Sequence, residues 1–263
     1  MTRVGVIGAA GKMGSLVCRT VIDEPDLTLV ASINDSRAGE ELSGVVGHPK
    51  ADLLISSDLG TLLQADAEVA VDFTRPDAVM DDIRFCVTHG VHAVVGTTGL
   101  GPDEIEQVRG WVGDGGEANV VIAPNFSVGA VLAQRLAEEA ARYFPAAEVI
   151  ELHHDQKLDA PSGTAAATAR RIAAARGEAP ETPRDESAPG VRGGEIEGVR
   201  VHSVRLPGLV AHQEVLFGGL GQTLSIRHDA TDRTSFMPGV LLAIREVGRR
   251  PGVTVGLEAL LDS

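Results

Sequence analysis

The chain has 263 residues, enough for one large domain or two modest ones. A formal charge of −14 with only 3% aromatic residues excludes a nucleic-acid or anionic-membrane surface, and no apolar run reaches the roughly 18 residues of a membrane helix. Two cysteines, Cys18 and Cys86, stand far apart in no metal or redox spacing, and the opening MTRVGVIGAAGKMG enters a strand pattern with no signal-peptide series, which together predict a cytoplasmic chain with buried, reduced thiols.

Apolar runs at 3–8, 27–33, 67–74, 91–98 and 119–125 alternate with helical spacing at 11–24, 76–89 and 102–112. Buried strands alternating with helices predict an α/β fold with a Rossmann-like, doubly wound parallel sheet. Beyond Asn125 the pattern changes. A helix over 127–143 leads to a strand over 147–154, an alanine-rich helix over 162–176 and a loop dense in Pro, Gly and charge over 177–194. Three runs with partial period-two alternation follow at 199–208, 212–219 and 222–230, then a final helix over 235–248 and a short tail. The expected plan is a dinucleotide-binding domain to about residue 127 and a smaller α+β domain with an open mixed sheet. The pattern does not assign the last helix to either.

VGVIGAAGKMG places Gly8, Gly11 and Gly14 where the first strand turns into the first helix. Small residues there let backbone approach a pyrophosphate, and the helix start adds free amides and a favourable dipole. The spacing is G-x-x-G-x-x-G, weak alone among 31 glycines but strong at the opening of a βαβ unit. An acid is expected about 20 residues further on to bind a ribose. That place holds Asn34, followed by Asp35. Asn34 lacks the charge that repels a 2′-phosphate, and Lys12 and Arg37 lie near in sequence. Use of both NADH and NADPH, with a lean to NADPH, is the expectation. Gly96-Thr97-Thr98 and Ala123-Pro124-Asn125-Phe126 end two further strands and should line the same crevice, with Asp72-Phe73-Thr74 at its border.

Residues 151–164, ELHHDQKLDAPSGT, carry the chemistry. Only three of the 23 basic residues are lysine, and Lys157 is one of them. It stands four residues after His153, next to His154, and Ser162-Gly163-Thr164 open the alanine-rich helix. Backbone amides and hydroxyls at that start suit a carboxylate, and His153 and Lys157 are competent proton donors. The cluster suits reduction of a carboxylated imine by a nicotinamide. No metal site is expected, because adjacent strand histidines point to opposite faces and no third ligand follows. No nucleophile elbow is present either.

At these motifs the chain resembles the 4-hydroxy-tetrahydrodipicolinate reductase family, formerly dihydrodipicolinate reductase. The resemblance lies in VGVIGAAGKMG, VDFT, VVGTTG, IAPNFSVGA, ELHHxxKxDAPSGTA, SVRLPGLVAHQEVLFG and IRHDATDRTSFMPGVLLA, and runs over almost the whole chain. It implies loss of water and hydride transfer from NADPH or NADH to a small cyclic imine dicarboxylate in lysine biosynthesis. It implies His153 as proton donor and acceptor, Lys157 as proton donor, and His154, Gly163 and Thr164 as substrate-binding residues, to which the helix start adds Ser162. The implied cofactor contacts are Gly8, Ala9, Ala10, Gly11, Lys12, Met13, Gly14, Gly96, Thr97, Thr98, Ala123, Pro124, Asn125 and Phe126. The family's acidic ribose ligand falls on Asn34, with Asp35 beside it, a departure from the pattern. The family fold implies a dinucleotide-binding domain over 1–127 to which 237–263 return, and a substrate-binding domain over 128–236 whose open sheet builds a homotetramer. Two other readings compete: another imine reductase or amino-acid dehydrogenase on the same fold, and a dinucleotide-binding scaffold without catalysis.

Overall fold

A computed structural model describes residues 1–113, 117–178 and 185–261. The chain divides into two compact units, Met1–Ser127 with Phe236–Ser263, and Val128–Ser235.

In the first unit the early elements run β1 (Thr2–Ile7), α1 (Lys12–Asp23), β2 (Leu27–Ile33), the short helices α2 (Leu42–Val46) and α3 (Gly60–Gln64), then β3 (Val69–Asp72). They continue with α4 (Val79–Thr88), β4 (His92–Val95), α5 (Pro102–Gly113) and β5 (Val120–Ile122). The second unit holds α6 (Val128–Ala141), β6 (Ala146–His153), α7 (Gly163–Ala175), β7 (Gly194–Ile196), β8 (Val199–Arg205), β9 (Ala211–Gly219) and β10 (Gln222–Ala230). The chain then returns to the first unit through α8 (Met237–Glu246), β11 (Val253–Val255) and α9 (Glu258–Leu261).

The first sheet is parallel, in the order β11-β5-β4-β3-β1-β2. Val4, Val6, Val71, Val94, Val95, Val120 and Val121 are almost wholly buried, because a parallel sheet covered on both faces has no wet side. The order reverses between β1 and β3. Chain leaving their carboxyl ends therefore diverges and opens a crevice. Ion pairs from Arg245 on α8 to Glu24 (2.6 Å) and Asp26 (2.8 Å) fasten the returning helix beside the end of α1.

The second sheet is mixed, in the order β10-β9-β6-β8-β7, with β6 and β8 parallel and the other pairs antiparallel. One face packs on α6 and α7: Ala147, Val149, Val201, Val215 and Phe217 meet Ala137, Ala141, Ala165, Ala169 and Ile172. The alanines let the two helices lie close to the strands.

The pattern reading differs from the structure at five short elements. Helices α2 and α3 have five residues each, too few to show a period. The short tail contains α9, four residues long, and β11, three residues held by parallel pairing to β5 more than 130 positions earlier in the chain, Val253 to Val120 and Val255 to Ile122. Within the expected loop over 177–194, the segment 179–184 lies outside the described residues, and Gly194 already begins β7.

Candidate active site

In the first unit, the turn after β1 has a fixed shape. Gly8 sits at φ +81°, and a Cβ on Gly14 would lie 2.0 Å from the Gly8 carbonyl oxygen. Both positions exclude a side chain, so the turn brings helix α1 hard against strand β1. The Gly8 and Ala9 amides donate to Ile33 O (2.9 and 3.0 Å), and the Gly11 amide donates to Gly8 O (2.9 Å). Among the described residues, the amides of Ala10, Lys12, Met13 and Gly14 have no partner. They lie in or next to the first turn of a twelve-residue helix, the backbone setting in which a phosphate is held.

A cavity of about 610 Å³ opens from this turn, lined by Gly8, Gly11, Asn34, Asp35, Phe73 and Asp82 among others. Its walls are the carboxyl-end loops of β1, β2 and β3, as expected at the switch in strand order. Asn34 is half-buried, and its Oδ1 accepts a hydrogen bond from Ser36 Oγ (2.9 Å). Arg37 is engaged elsewhere: its guanidinium grips Glu40 through Nε (2.9 Å) and Nη2 (2.5 Å). A 2′-phosphate at Asn34 would compete with that carboxylate for Arg37. Lys12 is exposed at the helix start.

Phe73 ties the other two loops to this cavity. Its ring lies against Gly96, and the Phe126 ring centroid is 5.8 Å away. Thr97 is buried and donates to Asp72 Oδ1 (2.8 Å), so its hydroxyl faces inward, while Thr98 is exposed. Asn125 Oδ1 caps the Ser127 amide (2.9 Å), Ala123 and Phe126 are buried, and Pro124 is exposed. These loops thus present backbone more than side chain. Ser36, Ser57, Leu59, Arg75, Ala78 and Asp82 also line the cavity, and sequence reasoning passed over them. Asp82 had a signal. It falls on the apolar stripe of α4, with Val79, Ile83 and Cys86, where a carboxylate is out of place.

In the second unit, the chemistry converges on one buried carboxylate. Glu151 is fully buried on β6. It accepts Arg205 Nη1 (2.9 Å) and Nη2 (2.7 Å), the Ser162 amide (3.2 Å), and Nδ1 of His153. Burial pushes the Glu151 carboxyl up, but hydrogen bonds from Arg205, Ser203 and His153 outweigh it and hold the group below the usual carboxylate range. For His153, burial pushes the imidazole down; Glu151 pulls it up, Lys157 and Arg205 push it further down, and the net direction is down. A neutral imidazole that donates from Nδ1 to a carboxylate carries its lone pair on Nε2. Glu151 therefore selects the tautomer of His153.

Neither Glu151 nor Arg205 was singled out from the sequence. Glu151 precedes His153 by two positions in a strand, so both side chains must share a face, and that signal was present. Arg205 stands opposite His153 in the parallel β6–β8 pairing, a long-range register that local pattern does not reveal.

The same carboxylate reaches the start of α7. Ser162 caps that helix, its Oγ accepting the Ala165 amide (3.1 Å) while its own amide bonds Glu151. Its hydroxyl oxygen is thus committed within the chain. The Gly163 and Thr164 amides have no partner among the described residues, and Gly163 is exposed. Lys157 Nζ is held by Asp159 Oδ1 (2.7 Å), and His154 is exposed beyond the strand end. One short stretch therefore brings together an oriented imidazole, an ammonium and two open amides with a helix dipole behind them. Among the described residues no group of three or more His, Cys, Asp or Glu is placed to hold a metal ion, and no helix is long and apolar enough to cross a membrane.

Two family models cover the chain: "Dihydrodipicolinate reductase, N-terminus" matches residues 2–126 and "Dihydrodipicolinate reductase, C-terminus" matches residues 129–261. The 4-hydroxy-tetrahydrodipicolinate reductase of Nocardia farcinica is 52% identical over 99% of this chain and 98% of its own length. That of a Mycobacterium species is 51% identical over 99% of both chains. Among solved structures, dipicolinate-bound dihydrodipicolinate reductase from Paenisporosarcina sp. TG-14 superposes with a TM-score of 0.87 at 38% identity, covering 98% of this chain and 99% of that one. An amine dehydrogenase from Mycobacterium smegmatis, at 16% identity, TM-score 0.67 and coverage of 97% and 95%, shares the fold alone.

Proposed function

The chain belongs to the dihydrodipicolinate reductase family, and from that premise we propose that it reduces 4-hydroxy-tetrahydrodipicolinate to tetrahydrodipicolinate, with loss of water, using NADH or NADPH in diaminopimelate and lysine biosynthesis. The observation that carries the reading is the Glu151-held His153 beside Lys157 and the open amides of Gly163 and Thr164. A small ring with carboxylates on either side of a C=N bond needs an anion grip and a proton source. This segment supplies both. The solved relative from Paenisporosarcina is bound to dipicolinate, a flat ring dicarboxylate of this class.

The glycine turn fits a dinucleotide: four open amides face the place where a pyrophosphate would lie, and side chains are excluded where the turn is tightest. Residues 8–14 would hold the pyrophosphate, Asn34 and Asp35 the ribose, and the backbone of 96–98 and 123–126 the nicotinamide side. When bound, the cofactor supplies the hydride.

The chain's own residues do the rest. The amides of Gly163 and Thr164, with the α7 dipole, take one substrate carboxylate, and His154 lies close enough in sequence to assist. Ser162 contributes by holding that helix start in place. Arg205 clamps Glu151, and Glu151 fixes His153 with Nε2 available to accept a proton or, once charged, to return it. Lys157, steadied by Asp159, delivers the proton that completes the reduction. Replacing Lys157 by Met should leave NADPH binding intact and lower kcat by ~10²-fold or more in an assay that follows NAD(P)H oxidation with freshly generated substrate. Near-normal turnover would remove Lys157 from the mechanism.

The active form in this reading is a cytoplasmic homotetramer. Ile150, Leu152, Val204 and Leu216 take the strand positions that alternate with the core, on the sheet face opposite α6 and α7, and Leu216 is 40% exposed. On this face the apolar side chains alternate with Glu148, His202 and Glu214, a mixed apolar and polar surface of the kind that favours burial against another copy. Light scattering from the purified protein tests the tetramer. The free, buried Cys18 and Cys86 suit a reducing compartment.

A further inference from the structure

Asp82 is an acid in an apolar place. It sits on the buried face of α4 and lines the cavity beyond the glycine turn. Its neighbour Asp72, at the end of β3, is 2% exposed. Asp72 Oδ1 accepts Thr74 N (2.9 Å), Thr74 Oγ1 (2.8 Å) and Thr97 Oγ1 (2.8 Å), and the same Thr74 hydroxyl lies 3.4 Å from Asp82 Oδ2. Among the described residues, Asp72 Oδ2 is buried with no hydrogen-bond partner. A proton on Asp82 supplies the missing donor.

We propose that Asp72 and Asp82 share one proton beside the dinucleotide cavity, and that cofactor binding is linked to keeping it. Two carboxyls in one desolvated site do not both ionise, because each negative charge disfavours the other. Burial raises both groups. On Asp82 the charge of Asp72 adds to the effect, and its carboxyl is pushed up to about 7. The other ionisable groups around the pair do not reverse this. Asp35, from the segment after β2, adds negative charge, and Cys86, one turn along α4, is driven further toward its neutral thiol. Arg75 lines the cavity, but its guanidinium is bound to Asp77 in solvent (3.1 Å). Loss of the shared proton therefore puts an uncompensated second charge beside a cavity that must take the cofactor's phosphates. It also sets α4 against β3, whose Asp72 holds the loops carrying Phe73, Thr74 and Thr97. Ligand and proton then favour each other by linkage.

The inference rests on the cavity being the dinucleotide site. The test is the Kd of NADH, by fluorescence titration between pH 6 and 9, for the intact protein and for Asp82→Asn. NADH avoids the separate titration of a 2′-phosphate near pH ~6. The expected result is a constant Kd below about pH 7 and a weakening of up to about tenfold per pH unit above it in the native protein. In Asp82→Asn, whose amide can donate to Asp72 at every pH, Kd should stay flat. An infrared band of a protonated carboxyl, present at pH 6 and bleached on titration through neutrality, gives a second readout in the native protein alone. A pH-independent Kd in the native protein, or the same slope in Asp82→Asn, overturns the linkage. No carboxyl band at pH 6 overturns the shared proton. Absence of NADH binding at any pH, with the band still present, overturns the cofactor reading of the cavity and the linkage with it.

Discussion

Glu151→Gln is the sharpest perturbation of the second unit. The carboxylate accepts the Ser162 amide and Arg205 Nη2 on Oε1, and His153 Nδ1 and Arg205 Nη1 on Oε2. A glutamine has one acceptor oxygen. With that oxygen in the Oε1 place, the amide nitrogen faces Arg205 Nη1 donor to donor, and His153 must accept at Nδ1 and carry its proton on Nε2. With the oxygen in the Oε2 place, the tautomer survives, but the Ser162 amide and Arg205 Nη2 lose their acceptor. The first placing loses one hydrogen bond and reverses another, the second loses two, and in both a largely buried guanidinium is left half paired. Breaking a buried pair this way costs about 3–5 kcal/mol, a large part of the roughly 5–15 kcal/mol that holds a protein folded. At about 2–4 °C per kcal/mol for a chain of this length, Tm should fall by roughly 6–20 °C. Turnover should fall by ~10²–10⁴-fold, with the KM for NADPH little changed, because the wrong tautomer or a displaced α7 start disables proton transfer and not cofactor binding. Calorimetry and steady-state kinetics read the two effects separately. A variant with Tm within about 2 °C and kcat within about threefold of the native protein would refute the role assigned to Glu151.

Gly14→Ala forces a Cβ to within 2.0 Å of the Gly8 carbonyl oxygen, so the turn must open; NADH affinity, measured by fluorescence, should drop at least about tenfold, and unchanged affinity would show that the turn does not hold the cofactor. Ser162→Ala removes the cap on the Ala165 amide and should lower stability by about 1 kcal/mol in urea titration, and a neutral result would mean another group caps the helix. Asp82 gives a stability test with a defined sign. Its carboxyl is raised from 3.8 to about 7 in the folded chain, so between those values the folded state binds more protons than the unfolded one, and native stability declines as pH rises through that window. Asp82→Asn should therefore gain Tm relative to the native protein between about pH 4 and 7 and keep the gain above it. A constant difference across that range would contradict the raised carboxyl.

Much of this was legible in the sequence for a physical reason: the informative features were local. Val4 to Ile7 with the three glycines announce a strand, a turn and a helix within a dozen residues, and ELHHDQKLDAPSGT places acid, bases and helix start in one segment. What pattern reading lost was either too short to show a period or made by distant pairing. Strand β11 exists because β5 offers it an edge, and Arg205 reaches Glu151 only once β6 and β8 align. Asp82 was lost for another reason. An acid among apolar neighbours on a helix was absorbed into the helix, although its buried position is what makes it informative.

A chain with a formal charge of −14 that binds a phosphate-rich cofactor and a dicarboxylate must deal with its own field. Adding arginines at the sites would be one solution. This chain takes a different one around the dinucleotide cavity, where the two nearby guanidiniums, Arg37 and Arg75, are each occupied by an acid three or fewer residues away. Beside the exposed Lys12, the positive potential offered to the cofactor comes from backbone, the open amides at the start of α1, and in the second unit Lys157 is joined by the open amides at the start of α7. Amides carry no proton that can leave at neutral pH and no side chain that can turn away to a neighbouring carboxylate. Partial charges of that size work only if full negative charges close by are silenced. Glu151 is silenced by Arg205, and Asp82, which pairs with no cation among the described residues, by the proposed shared proton. It follows that the second unit should tolerate alkaline pH while the first should not. Dipicolinate, an inert ring dicarboxylate, should bind with little change from pH 7 to 9, over the same range in which NADH binding weakens; parallel weakening of both ligands would point to the global field instead of the Asp72–Asp82 pair.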